Sequence, residues 1–316
     1  MRVLITTGLD QSQVGGPAQY GSRLKEEFEK LGHVVKIAQY SSIESALFRV
    51  WPKVFWADCV LALDTFSVGV PAVLASWLLD KKVIVRVGGD FLWESYVERT
   101  GNKTTLRQFN ANFPELNFKE RLIHYFTKIL INLSDKLAFN TEWQRDIWQK
   151  TYNISHTKSC VVKNYVPDKN TITSIGNKTF LWAGRKIKLK NINLLEELSK
   201  EFDIEMVSGL SHGQLQEKIK NCYAVTLPSF SEVCPNFILE AASFSKPFIM
   251  TAETGLKEIY NKGGIFVDPF DKKALKQAIL EMLKSDKYEQ YKRDLVSQDP
   301  ARPWRKVAEE FLSLCQ

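Results

Sequence analysis

The chain has 316 residues, of which 44% are hydrophobic and 25% charged, the composition of an ordinary soluble globular protein. That length holds two α/β domains or one large one. A formal net charge of +7 asks for an anionic partner such as a nucleotide diphosphate or a phospholipid surface, whereas no arginine-rich run or zinc-finger spacing points to nucleic acid.

Residues 1–7 read as a buried strand ending in a turn, without the cleavage site of a signal peptide. The turn Gly15-Gly16-Pro17 follows, and a helix then sets Tyr20, Leu24, Phe28 and Leu31 on one face. Pro17 suits its first turn, where a missing N–H costs nothing. After Gly32-His33 the chain returns as a strand at 34–38. A second cycle gives a strand at 59–63, a helix at 70–79 and a strand at 82–87. Asp64 and Pro71 interrupt the longest apolar tract, at 60–79, so it is no membrane span. Continuous apolar strands alternating with helices predict a parallel sheet covered on both faces.

A basic helix is predicted over 118–134. Leu122, Phe126, Ile129 and Leu133 form its apolar stripe, flanked by Lys119, Arg121 and Lys128. It reads as a core helix with a solvated basic face, the alternative being a membrane- or acceptor-facing surface. Short strands at 136–140 and 159–163 complete the first domain, and 164–177 reads as a linker. Strands then recur at 179–183, 205–208, 224–227, 247–250 and 264–267, with helices starting near Asn191, His212, Asn236 and Asp271. A last amphipathic helix, 303–314, is expected to pack back on the first domain. The domains are drawn as 1–165 with the last helix, 301–316, and 166–300. Five cysteines stand singly (Cys59, Cys160, Cys222, Cys234, Cys315) and read as reduced thiols of a cytosolic protein, with no zinc site.

The strongest chemical signal is the run from Pro228 to Glu240, Pro-Ser-Phe-Ser-Glu-Val-Cys-Pro-Asn-Phe-Ile-Leu-Glu. A buried strand enters a loop holding Glu232, and a helix begins at Pro235-Asn236 with Glu240 one turn inside on the face of Asn236. A helix N-terminus seats a phosphate, and flanking carboxylates suit ribose and sugar hydroxyls; the alternative is a loop charge at Glu232 and a surface helix residue at Glu240. The small pair Ala241-Ala242 and Phe244 argue for partial burial of Glu240. A second signal is Gly184-Arg185 with Lys190 at the end of a strand, either cations where open α/β sheets place ligands or simply a solvated basic loop. Gly15-Gly16 either brings backbone N–H groups to a ligand or is simply a turn, and it makes no dinucleotide fingerprint. Asp90, after Gly88-Gly89, either orients an acceptor or caps the next element. No Asp-x-Asp pair ends a strand, so no catalytic metal is expected.

With these pieces in order, the chain resembles the retaining glycosyltransferases of family 4 over nearly its whole length. The likeness rests on the Gly15-Gly16 loop, the Leu31-Gly-His-Val-Val end of the first helix, residues 162–168, Gly184-Arg185 with Lys190, and Glu232 with Glu240. Gly255 with Glu258 and the helix at Trp304 add to it. It implies a GT-B fold, an α/β architecture of two Rossmann-like domains with parallel sheets facing each other across a cleft. It implies a metal-independent, cytoplasmic hexosyltransferase without a cofactor, taking a UDP- or GDP-sugar to a glycan or lipid-linked acceptor, with peripheral contact at the inner face of a membrane.

By the same resemblance Glu240 holds the ribose and Glu232 the transferred sugar, with Asn236 beside them. The N–H groups of Val233 and Cys234 meet the diphosphate, and Arg185 and Lys190 stabilise the leaving nucleotide. The sequence departs from the family at three points. Val233 replaces a glycine, Gly88-Gly89-Asp90 occupies the place of a histidine, and the stretch 195–215 lacks one strand–helix unit, which leaves Gly209 and Leu210 near the base. A binding subunit without turnover and a sugar-nucleotide epimerase of the same fold stay open as alternatives.

Overall fold

The computed structural model describes residues 1–8, 16–40, 43–170 and 177–316. In chain order the first part comprises β1 (Arg2–Thr7), α1 (Gly16–Lys30), β2 (Val34–Gln39), α2 (Ile43–Trp56), β3 (Cys59–Ala62), α3 (Gly69–Leu78) and β4 (Lys82–Val87). It continues through α4 (Phe91–Thr100), α5 (Leu106–Ala111), α6 (Phe118–Leu133), β5 (Lys136–Phe139), α7 (Glu142–Tyr152) and β6 (Ser159–Val161). The second part comprises β7 (Phe180–Ala183), α8 (Ile192–Leu198), β8 (Ile204–Val207), α9 (His212–Asn221), β9 (Ala224–Leu227) and α10 (Asn236–Ser243). It ends with β10 (Phe248–Thr251), β11 (Gly264–Val267), α11 (Lys272–Met282), α12 (Ser285–Ser297) and α13 (Trp304–Cys315). The chain forms two compact units: Met1–Tyr96 with Asn110–Asn164 and Trp304–Gln316, and Val97–Phe109 with Tyr165–Pro303. Residues 97–109, drawn with the first domain from sequence, group with the second unit.

The first unit is a parallel sheet in the order β2-β1-β3-β4-β5-β6. Val3 and Ile5 of β1 join Leu61, Ile84 and Ala138 in a core closed by Tyr20, Leu24 and Phe28 of α1 and by Val307, Ala308, Phe311 and Leu312 of α13. Leu4, Val60, Val83 and Val85 alternate with these residues and are as fully buried, so both faces of the sheet are covered. Trp304 meets Tyr20 edge to face with ring centroids 4.9 Å apart. Cys59 of β3 and Cys315 of α13 are joined in a disulfide, their Cα atoms 5.8 Å apart. This corrects the expectation of five reduced thiols: α13 carries Cys315 across 256 residues of sequence to the sheet, while Cys160, Cys222 and Cys234 stand outside any disulfide.

A second correction concerns α6. Its inward face carries Ile123, Thr127, Leu130 and Ile131, whereas Leu122 of the predicted stripe is 39% exposed and Phe126, Ile129 and Leu133 are half-buried. The helix comes close to α3 because Gly69 has no side chain. A Cβ there would lie 2.6 Å from Leu130 Cδ1 and 2.5 Å from the Asp64 carbonyl oxygen.

The second unit is a parallel sheet in the order β11-β10-β9-β7-β8. Its strands alternate: Phe248 and Met250 enter one core with Ile219, Ile238 and Leu239, while Ile249 enters the other with Leu275, Ile279 and Met282 of α11.

Candidate functional site

In the second sheet β8 lies on one side of β7 and β9 on the other. The connections therefore diverge at the carboxyl ends of β7 and β9, where open α/β sheets bind ligands. Two loops leave those ends. One runs through Gly184 and the exposed Arg185 into a single 3-10 turn, Lys188–Lys190. The other runs from Pro228 to Pro235.

The two loops are sewn together. The Phe230 N–H donates to the Leu189 carbonyl at 2.8 Å. The buried Asn191 side-chain amide donates to the carbonyls of Pro228 at 3.1 Å and Pro269 at 2.7 Å. Asn191 has φ 57°, in the left-handed region that asparagine tolerates better than most residues. Residues of the 97–109 segment brace the same loops. The Ser231 hydroxyl oxygen accepts from the Leu106 N–H at 2.9 Å, and Lys188 Nζ donates to the Glu98 carbonyl at 2.7 Å.

This frame fixes a charge pair. Lys190 Nζ donates to Glu232 Oε1 at 2.5 Å, and the two side chains are 18% and 10% exposed. The Glu232 backbone is held from below: its N–H donates to the Glu253 carbonyl at 3.0 Å, and its carbonyl accepts from the Gly255 N–H at 3.3 Å. Gly255 and Glu258 belong to the 3-10 turn after β10. An ammonium has three donors, so Lys190 can hold Glu232 and still offer hydrogens to another anion.

The helix after Glu232 supplies a second carboxylate. Pro235 at the N-cap of α10 makes no side-chain cap, so the first N–H groups of the helix are left for another acceptor. Asn236 is exposed there, Val233 is half-buried and Cys234 lies in the core. Glu240 sits one turn in, with its side chain 16% exposed. Its Oε1 lies 3.4 Å from His212 Nε2, and its Oε2 is buried without a hydrogen-bond partner. Burial pushes the Glu240 carboxyl above its ordinary value, and the facing His212 counteracts this.

Sequence reasoning missed His212, although it had placed a helix start there. His212 opens α9, right after Gly209 (φ 73°), the half-buried Leu210 and the capping box of Ser211 with Gln214. The short β8–α9 turn thus delivers an imidazole to Glu240.

The structure brings Lys190 to Glu232 and His212 to Glu240, with Arg185 and Gly209 on neighbouring strand-end loops. It gives Asp90 different surroundings, in the first unit. Asp90 is 2% exposed. Its Oδ1 accepts from the Trp93 N–H at 3.0 Å and its Oδ2 from Asn110 Nδ2 at 3.2 Å. Its carbonyl accepts from the Glu94 N–H at 3.0 Å, so it caps α4, and burial raises its carboxyl as well. Gly15 lies outside the described residues, and Gly16 is the first residue of α1. Among the described residues no group of three or more His, Cys, Asp or Glu is placed to hold a metal ion.

A model of the family described as Glycosyl transferases group 1 matches residues 176–295. The matched residues lie within the second unit. No curated protein matches the chain as a sequence relative. Solved structures do resemble it over nearly its full length. Sucrose-phosphate synthase from Thermosynechococcus elongatus is 12% identical with a TM-score of 0.71, covering 99% of this chain and 98% of its own. WaaG, a glycosyltransferase involved in lipopolysaccharide biosynthesis, is 13% identical with a TM-score of 0.70, covering 98% and 99%. HepE from Anabaena, solved in complex with UDP-glucose, is 12% identical with a TM-score of 0.68, covering 100% and 97%. Together with the two parallel sheets, these likenesses give the chain the GT-B fold.

Proposed function

We propose that this protein is a metal-independent retaining glycosyltransferase that moves a hexose from a UDP- or GDP-sugar to a glycan or glycolipid acceptor. The observation that carries the reading is the orphaned Glu240 Oε2, a buried acceptor without a partner in a strand-end site of a glycosyl transferases group 1 domain. Leaving such an atom unmade costs about 1–3 kcal/mol, a cost that a ligand donor removes on binding. Two ribose hydroxyls are donors of the right kind.

In this reading Glu240 takes the ribose, Gly209 and Leu210 line the base, and the open N-terminus of α10 with Val233, Cys234 and Asn236 meets the diphosphate. Glu232 orients the transferred sugar. Arg185 and Lys190 stabilise the charge that builds on the leaving diphosphate, work that a divalent metal does in other transferases. Lys190 is already held by Glu232, so it needs little reorganisation when that charge develops, which is the condition under which electrostatic stabilisation is worth most. Transfer with retention fits same-face attack, in which the leaving phosphate takes the acceptor proton and the protein supplies position more than a strong base. Asp90, buried as a helix cap, is assigned the capping role.

The test is thermal stabilisation by UDP, GDP, ADP, TDP and NAD, each with and without magnesium. A nucleotide at about 100 times its Kd adds about 2.7 kcal/mol. A shift with UDP or GDP that does not depend on magnesium supports the donor site, and a shift with NAD alone overturns it. Release of the nucleotide diphosphate only when an acceptor is added separates transfer from epimerisation and from binding without turnover.

A further inference from the structure

Helix α6 carries two apolar faces, and only one of them is buried, on the side that meets α3. At about 100° per residue, Ile123, Thr127, Leu130 and Ile131 form the inward face. Phe118, Leu122, Tyr125 and Ile129 fall within about 60° of one another on the outer side. Phe118 is 76% exposed, Tyr125 59% and Leu122 39%. The outer stripe is bordered by exposed cations, Lys119 on one edge and Arg121 and Lys128 on the other. The helix's one acidic residue, Glu120, is buried inside the capping box with Asn117.

The stripe also continues beyond the helix. Tyr125 packs on Phe126 (ring centroids 5.6 Å apart), Phe126 on Phe66 (6.5 Å), and Phe66 stacks on Phe91 (5.4 Å), itself 40% exposed. Phe66 follows β3 and Phe91 follows β4, so the aromatic network reaches the carboxyl edge of the first sheet.

We infer that the outer face of α6, with Phe91, docks this protein on an anionic lipid bilayer. An apolar stripe edged by lysine and arginine is the pattern of a helix lying in a membrane interface. Phenylalanine and tyrosine supply the insertion, and the three cations supply attraction to anionic headgroups. A second copy of the chain fits the charges poorly, since two such faces would set like charges against each other. The docked face adjoins the ends of β3 and β4, where an open sheet takes its ligand, so headgroups would stand next to the ligand edge of the first unit. Docking itself does not depend on the donor-site reading. The link to a lipid-linked acceptor does.

The test is co-sedimentation of the full chain with vesicles of phosphatidylcholine alone and of phosphatidylcholine with phosphatidylglycerol. The protein should pellet with the anionic vesicles, less so as salt rises, and stay in solution with the neutral ones. Lys119→Gln and Lys128→Gln should each lower partitioning about fivefold, and Phe118→Ser about tenfold or more. The lysine variants leave the apolar stripe intact, so the test stands even if the serine variant fails to fold. UDP or GDP stabilisation should be unchanged in all three, which separates docking from the donor site. A wild-type protein that stays in the supernatant with anionic vesicles would overturn the inference. So would variants that pellet like wild type, or a dimer that Phe118→Ser dissociates.

Discussion

Two carboxylates, one in each unit, are both desolvated and differ in what surrounds them. Both Asp90 and Glu240 are pushed toward the protonated form by desolvation. Asp90 has an N–H donor on each oxygen and completes a helix cap. Glu240 has a histidine near one oxygen and nothing on the other. A carboxylate with both oxygens engaged belongs to the architecture, whereas one with a buried, unmet oxygen is an acceptor kept ready for a ligand. That difference separates two acidic residues which the sequence presents equally as strand-end or helix-start carboxylates.

The largest effect is expected where ligand chemistry and internal pairing coincide. Lys190→Ala removes a cation from the leaving group and leaves Glu232 unpaired, so transfer should fall about 10²–10³-fold and stability by about 3 kcal/mol. The double variant Lys190→Met/Glu232→Gln should regain the stability and not the transfer. Denaturant melts beside turnover assays check both parts. A double variant with restored turnover would show that the pair is only structural.

The next test sets the two carboxylates against each other. Asp90→Ala strips the cap of α4 and should cost about 0.5–2 kcal/mol while nucleotide affinity stays unchanged. Glu240→Gln should do the reverse: affinity for the nucleotide falls about tenfold or more, in keeping with a lost charged hydrogen bond, and the folded state is no less stable. The pH dependence sharpens this. With the folded Glu240 value raised above the unfolded one, the group's stabilising contribution is complete below the unfolded value and fades as pH rises through the folded one. Glu240→Gln does not titrate there, so its stability advantage over wild type should grow from acid toward neutral pH in urea melts. An advantage that shrinks over that range would contradict the assigned environment.

The smallest effect is expected at His212. Its imidazole acts on the ligand only through Glu240, so His212→Ala should weaken nucleotide binding a few-fold and leave turnover at saturation nearly unchanged. Combined with Glu240→Gln, the loss should not add, as for residues in contact. Calorimetric titration of the four variants checks this, and additive losses would separate the two residues.

Much of this was legible in the sequence, because burial on both faces of a parallel sheet writes continuous apolar strands. The helix starts read at His212, Asn236 and Asp271 are α9, α10 and the N-cap of α11. Helix α2 is not legible, because Pro52 lies within its helical run. On α6 periodicity gives one apolar stripe and assigns it to the core, yet two stripes are present and helical spacing alone does not say which one is buried. The Cys59–Cys315 and His212–Glu240 contacts were illegible for another reason. They join residues that only the strand order brings together, and no local pattern encodes that order.

Helix α13 sets a timetable for making the protein. The first unit begins at β1, but its core is not closed until Val307, Ala308 and Phe311 lie against Leu24 and Phe28. Roughly 140 residues of the other unit must be translated in between, on the order of ten seconds at about 5–20 residues per second. The unit that leaves the ribosome first is thus the one finished last, and nascent chains stalled before Trp304 should stay protease-sensitive in their N-terminal half. The second unit's sheet and covering helices are complete by then and have no such wait.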